Sequence, residues 1–311
     1  MPMSSEDAVV QQLVRLGESY DSVRAMVLTS SRADPDAPRD ILSDYDVILY
    51  TVDLAPFLER DDWFESLGPV LVTIRPGFQE MGRWLATRLV LYEDGTKIDF
   101  GLRRMDDLQG LCSTGSPPDD HGYTVLLDKD GLTASLGRPT HKAYIPNVPM
   151  ESEYASVVND FWWDSTYVSR YLWREDLMAV KIMLDHVLKQ DELRTMLEWS
   201  VEIERGWVWK PGAYGRGLTK VLDPDTSREL VATYVGGDTE ELWESLFRTA
   251  ALFRRVAIRV ADSLGYGYPH GLDDRVMIYH RTLRTLDQRA AAEGDLARLL
   301  RDGYSEYRAG T

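Results

Sequence analysis

Cysteine is almost missing from this 311-residue chain, with Cys112 the only one. A single thiol cannot close an intramolecular disulfide, so the expected compartment is a reducing cytoplasm. The five histidines show no ligand spacing, which argues against a zinc site. No apolar run approaches the roughly 20 residues needed to span a bilayer, so no membrane association is expected. The stretch Met1-Pro2-Met3-Ser4-Ser5-Glu6-Asp7 is acidic and polar, unlike a signal peptide. Positive charge is also short: 35 Lys and Arg stand against 51 Asp and Glu, a formal net charge of −16. A protein that grips nucleic acid through phosphates needs a basic stripe, so nucleic acid is not an expected partner. The same negative field would attract and steer a polycationic small molecule.

A hydrophobic content of 44% with 28% charged residues is ordinary for a globular protein, and the length suffices for two cores. Apolar residues at helical spacing (Val9, Val10, Leu13, Leu16) predict an opening helix over 6–20. Strands are expected near 24–30 and 44–52, separated by a Pro- and Asp-rich loop over 32–43. A helix around 55–66 leads to a strand near 70–75 that Pro76-Gly77 closes. A hairpin over 87–104, turning at Glu93-Asp94-Gly95-Thr96, and a strand at Tyr123–Leu127 complete a small mixed sheet. From about residue 150 helical patterns dominate: 151–173, 175–189, 191–204, 215–222, 226–235, 239–263 and 272–299, with a loosely held tail from Tyr304. This order predicts an α+β protein, a mixed β-sheet flanked by helices over 1–148 followed by an α-helical domain over 149–311.

The chemistry concentrates in Ser30-Ser31-Arg32 and in Asp44-Tyr45-Asp46-Val47-Ile48-Leu49-Tyr50. Strand side chains alternate, so Asp44 and Asp46 share one face while Tyr45, Val47 and Leu49 point into a core. Two carboxylates on one face repel unless a cation lies between them, and a hard divalent ion such as Mg²⁺ is the expected partner. In the hairpin, Ile98 and Phe100 would face the core, leaving Lys97 and Asp99 on the open face. If that strand lies beside the Asp44–Asp46 strand, three carboxylates converge, as is needed to hold two Mg²⁺ ions over a triphosphate.

Ser30-Ser31, Asp44-x-Asp46 and Asp99 together resemble the signature of the polymerase-β-like nucleotidyltransferases. The block Phe161-Trp162-Trp163-Asp164-Ser165-Thr166-Tyr167-Val168, then Leu172-Trp173-Arg174-Glu175-Asp176-Leu177-Met178-Ala179-Val180-Lys181, then Met196-Leu197-Glu198-Trp199, is similar to the aminoglycoside 6-adenylyltransferases. That resemblance implies a nucleotidyltransferase-type N-terminal domain holding metal and triphosphate, and a helical domain that closes the cleft and binds the acceptor. It implies Mg²⁺-dependent transfer of AMP from ATP to a hydroxyl of an aminoglycoside, in particular the 6-hydroxyl of streptomycin, by a monomer or homodimer. Streptomycin carries two guanidinium groups and an amine, in keeping with the acidic charge. Another small hydroxylated acceptor, or a nucleotide-binding relative without turnover, are the alternatives.

The resemblance assigns Asp44, Asp46 and Asp99 as metal ligands and catalytic acids, with Asp99 the default base. Ser30, Ser31 and Arg32 would attend the phosphates, Arg32 by neutralising charge or stacking on the base. Lys181 is the candidate cation for the triphosphate and Lys97 its competitor. Asp164, Glu175 and Asp176 are helical alternatives for the base or would instead meet the sugar's cations, with Trp163, Tyr167 and Trp173 as aromatic walls; of Trp162, Trp163, Tyr167 and Trp173 at least two are expected to be packing only. The family usually has Gly where this chain has Ser30. If that position requires positive φ, serine costs on the order of 1 kcal/mol.

Overall fold

Alternation decides the central strand. In Tyr45–Thr51 (β2) the side chains of Tyr45, Val47 and Leu49 are buried while Asp46 and Ile48 are only partly so. The computed structural model describes residues 5–34, 37, 39–80, 83–142, 145–287 and 295–310, and its chain divides into two units, Met1–Tyr144 and Ile145–Thr311. The protein is α+β, with a mixed sheet in the first unit and helices in the second.

The first unit begins with α1 (Ser5–Ser19) and β1 (Val23–Thr29), followed by β2, α2 (Ala55–Glu59) and α3 (Asp62–Glu65). Next come β3 (Val70–Ile74), β4 (Gly77–Glu80), β5 (Arg83–Tyr92), β6 (Lys97–Arg104), α4 (Met105–Thr114) and β7 (Tyr123–Asp128). The sheet order is β3-β5-β6-β2-β1-β7, with β4 paired to β5. Among the described residues only β2 and β6 run parallel; the other pairings are antiparallel. One face packs Leu13, Leu16, Phe57, Trp63 and Phe64 against Tyr45, Val47, Leu49 and Phe100. The Trp63 ring meets Phe57, Phe64 and Phe100 edge-on at 5.3, 5.0 and 4.9 Å, the geometry that the aromatic quadrupole favours. The other face is smaller, with Ala25, Val27 and Tyr50 under Met105 and Leu108 of α4.

Two elements were not expected. α4 was missed although its signals are present: Asp106 and Asp107 lie in the first turn, the Arg104 amide donates to Asp107 at 3.1 Å, and Gly115 ends the helix at φ 63°. β3 ends at Ile74, ahead of Pro76-Gly77 as expected, but Gly77 at once opens β4, a four-residue strand made by pairing with the long β5. The helix expected over 55–66 is two short ones. Part of the loop expected over 32–43 lies outside the described residues.

In the second unit α5 (Glu151–Trp173) is followed by one continuous rod in three windings: α6 (Leu177–Lys181), a π-helical segment (Ile182–Leu193) and α7 (Arg194–Arg205). Then come α8 (Leu218–Val221), α9 (Pro224–Ala232), α10 (Thr239–Leu264), α11 (His270–Thr285) and α12 (Asp295–Gly310). The amphipathic α10 is central, burying Leu242, Trp243, Leu246, Ala250, Phe253, Val256, Ala257 and Val260. Phe253 stacks on Phe161 of α5 at 3.7 Å, and the Tyr154 hydroxyl donates to the Ala257 carbonyl at 3.0 Å. Buried His280 of α11 lies between the hydroxyls of Ser165 and Ser169, each 3.0 Å away.

Here too expectations change. Glu175 does not open the next helix: its φ is 58°, and it turns the chain between α5 and α6, which starts at Leu177. The helices expected over 175–189 and 191–204 are one rod. The helix expected over 272–299 stops at Thr285; residues 288–294 lie outside those described. Tyr304 lies within helix α12, and the Tyr307 hydroxyl donates to Asp274 of α11 at 3.1 Å, so the tail is not loose. Among the described residues no helix is long and apolar enough to cross a membrane.

Candidate active site

Register builds the site. In the parallel pair β2–β6, Asp46 stands opposite Asp99, and the alternation that buries Ile98 and Phe100 turns Asp99 the other way. Asp44 precedes β2 by one residue and shares the face of Asp46. Ligand atoms of Asp44, Asp46 and Asp99 all lie within 4.8 Å of one another. Lys97, two residues before Asp99, reaches the same place: its Nζ donates to Asp44 Oδ2 at 2.7 Å and to Asp99 Oδ2 at 2.8 Å. The other oxygen, Asp99 Oδ1, is buried without a hydrogen-bond partner.

β1 brings the serines to the acids. Thr29, its last residue, pairs with Asp46, so the 3₁₀ turn Ser30–Arg32 begins beside that carboxylate. The Ser30 hydroxyl donates to Asp46. Ser30 has φ 60°, the left-handed region, while its carbonyl accepts from the amides of Ala33 and Asp34 at 3.0 and 3.1 Å. Arg32 braces the acidic segment: it donates to the carbonyls of Asp44 and Ser43 at 3.0 and 2.6 Å, and its guanidinium lies 3.8 Å over the Tyr45 ring.

Electrostatics follows from this crowding. Asp46 is pushed up to about 6, first by burial and then by the charges of Asp44 and Asp99; the Ser30 hydrogen bond and Lys97 pull the other way. Burial works against the Lys97 ammonium, but the hydrogen bonds to Asp44 and Asp99 outweigh it and hold its pKa above the ordinary lysine value. The cluster thus keeps its own cation between two of its anions.

The candidates in the second unit separate into groups. Trp163, Asp164 and Tyr167 lie together on α5, Trp163 being 62% exposed and meeting Tyr167 at 6.2 Å. Trp162 is fully buried, its indole N–H donating to the Tyr268 hydroxyl at 3.1 Å. The Trp173 indole donates to the Leu286 carbonyl at 2.9 Å, tying α5 to the end of α11. Glu175 and Asp176 are exposed in the turn before α6. Lys181 is paired with Asp185 and donates to the Val235 carbonyl at 3.0 Å. Glu192 of the π segment, overlooked in the sequence, is hydrogen-bonded to Asp164.

The family comparison bears on the whole chain. A family model described as streptomycin adenylyltransferase matches residues 3–283. The chain belongs to the streptomycin adenylyltransferase family. Curated relatives of this family member include the aminoglycoside 6-adenylyltransferase of Bacillus subtilis (strain 168), 28% identical over 272 residues, which are 86% of this chain and 94% of that protein. That of Campylobacter jejuni is 27% identical over 271 residues, 86% and 92% of the two chains. A solved structure of an aminoglycoside 6-adenyltransferase from Bacillus subtilis aligns with 91% of this chain and 100% of its own, at 23% identity and a TM-score of 0.43. As a member of the streptomycin adenylyltransferase family the chain is a nucleotidyltransferase enzyme.

The donor set of this adenylyltransferase-family chain suits a hard divalent ion. Three carboxylates supply oxygen only, one of those oxygens is buried and unsatisfied, and the mutual repulsion that lifts Asp46 is what a cation would relieve.

Proposed function

We propose that this chain transfers AMP from ATP to a hydroxyl of an aminoglycoside, the 6-hydroxyl of streptomycin, and releases pyrophosphate. The observation that carries this reading is the convergence of Asp44, Asp46 and Asp99 around the unpartnered Asp99 Oδ1, in a chain whose relatives are aminoglycoside 6-adenylyltransferases. The first unit would handle metal and triphosphate, and the helical unit would hold the antibiotic.

Asp44, Asp46 and Asp99 would hold Mg²⁺. When bound, such an ion neutralises triphosphate charge and polarises the phosphoryl oxygens. The turn at Ser30 and Ser31 would offer amide and hydroxyl donors to the phosphates, as left-handed turns do for anions. Lys97, already among the three acids, would add positive charge there. Asp99 would take the proton of the attacking hydroxyl. That oxygen then bonds to the α-phosphorus as the bridge to the β-phosphate breaks. The net charge of −16 supports a cationic acceptor by steering.

Mass spectrometry of streptomycin incubated with protein, ATP and Mg²⁺ tests the reading. A gain of one adenylyl group, lost with EDTA, is the expected result. An unmodified antibiotic, with no pyrophosphate released across an aminoglycoside panel, would overturn the acceptor assignment.

A further inference from the structure

A second acidic centre lies wholly within the helical unit. Glu192 is only 7% exposed, and its carboxyl group is hydrogen-bonded to that of Asp164 across from α5. Its Oε2 is buried with no hydrogen-bond partner. Two carboxyl groups can hydrogen-bond to each other only if a proton lies between them. Glu192 accordingly has its pKa pushed up to about 9, by burial first and then by Asp164, with Asp160 and Asp191 adding to the repulsion. Burial also raises Asp164.

The protein supplies these acids with no cation of its own from the same rod. Lys189 gives its ammonium to Asp185, the Thr233 carbonyl and the Ser245 hydroxyl. Arg194 binds the Gln190 carbonyl and Glu198. A carboxyl buried against a second acid, with Lys189 and Arg194 of the same rod committed elsewhere, costs stability, which points to use rather than packing. The winding agrees, because Glu192 belongs to a 12-residue π-helical segment, and π turns concentrate at functional sites.

We propose that Asp164 and Glu192 form a subsite for a planar cation, a guanidinium group of the acceptor; this rests on the aminoglycoside reading above. A guanidinium presents paired N–H donors that match carboxylate oxygens. It would take the place of the shared proton, which leaves to solvent, and would satisfy Glu192 Oε2. Streptomycin carries two such groups.

Steady-state kinetics with streptomycin and ATP test this, comparing wild type with Glu192→Gln and Asp164→Asn, each confirmed folded by its melting curve. Glu306→Gln, an exposed change on α12, controls for the lost charge. The expected result is a 10- to 100-fold rise in KM for streptomycin in both subsite variants, the scale of a charged hydrogen bond, with KM for ATP unchanged. The amide retains a partner for the remaining acid, so the variants should melt at or above the wild-type temperature. Wild-type turnover with unaltered KM for streptomycin in both variants would overturn the subsite and leave the aminoglycoside reading standing. An equal rise in KM for ATP would make the pair structural and also overturn it. A wild type that neither binds nor modifies any aminoglycoside would overturn both proposals.

Discussion

Replacing Asp46 by Asn should make the metal-free protein more stable while abolishing transfer. Asp46 is pushed from its ordinary 3.8 to about 6, largely by burial and by its two acidic neighbours. A carboxyl whose folded pKa lies above its unfolded value favours the native state below the unfolded pKa, and that advantage is lost as pH rises through the folded one. A shift of about 2 units at about 1.4 kcal/mol each makes ionised Asp46 cost roughly 3 kcal/mol at pH 8, about half that at pH 5 and little at pH 4. Asparagine keeps the size and the oxygen that accepts from Ser30, and carries no charge. In EDTA, Asp46→Asn should therefore melt up to roughly 10 °C above wild type at pH 8, a gap that closes toward pH 4. Mg²⁺ should then raise the wild-type melting point and leave the variant unmoved, since only the intact triad binds it. Calorimetric scans from pH 4 to 8, with and without Mg²⁺, measure all of this. A variant less stable than wild type at pH 8, or a gap independent of pH, would refute the reasoning.

Three further outcomes are expected. Ser30→Gly relieves about 1 kcal/mol of left-handed strain but loses the hydroxyl donor to Asp46 and loosens the unfolded chain. Stability should stay within about 1 kcal/mol of wild type and turnover should hold or rise; a tenfold fall in kcat would show that the hydroxyl acts on its own. Lys97→Met removes the cation between Asp44 and Asp99, so kcat/KM for ATP should fall at least tenfold, and unchanged ATP kinetics would take Lys97 out of the site. His280, held near 3 by burial, must stay neutral when folded. The unfolded chain takes up that proton below about pH 6.5, so acidification to pH 5 should cost roughly 2 kcal/mol. In denaturant titrations the stability of His280→Asn relative to wild type should therefore rise by roughly 2 kcal/mol between pH 7 and 5, and a difference independent of pH would exclude the histidine.

Local patterns carried much of the fold. Alternation identified β2 and the inward side of β6, the Glu93–Thr96 turn marked the hairpin, and helical spacing marked α5 and α10 to within a residue of their ends. Misses occurred where neighbours overrule the local pattern. β4 is a strand only because β5 extends alongside it. The break after Trp173 was expected, but the next helix starts later than expected, at Leu177, because Glu175 takes a left-handed turn. The π segment reads as ordinary helix, because its composition does not reveal one extra residue per turn.

For the site, the residue types and their faces were determined by the chain itself: a short acidic repeat at the head of a strand and a third acid two residues after a lysine. Period-two geometry obliges them to share a side. Their convergence was decided by tertiary structure, because the parallel seating of β6 on β2 sets Asp99 against Asp46 and draws Lys97 between the anions. The same holds for Asp164 and Glu192. Neither stands out from a solvated helix acid in the sequence, and only the packing of α5 against the π-helical segment brings buried Glu192 to Asp164, where burial raises the pKa of both.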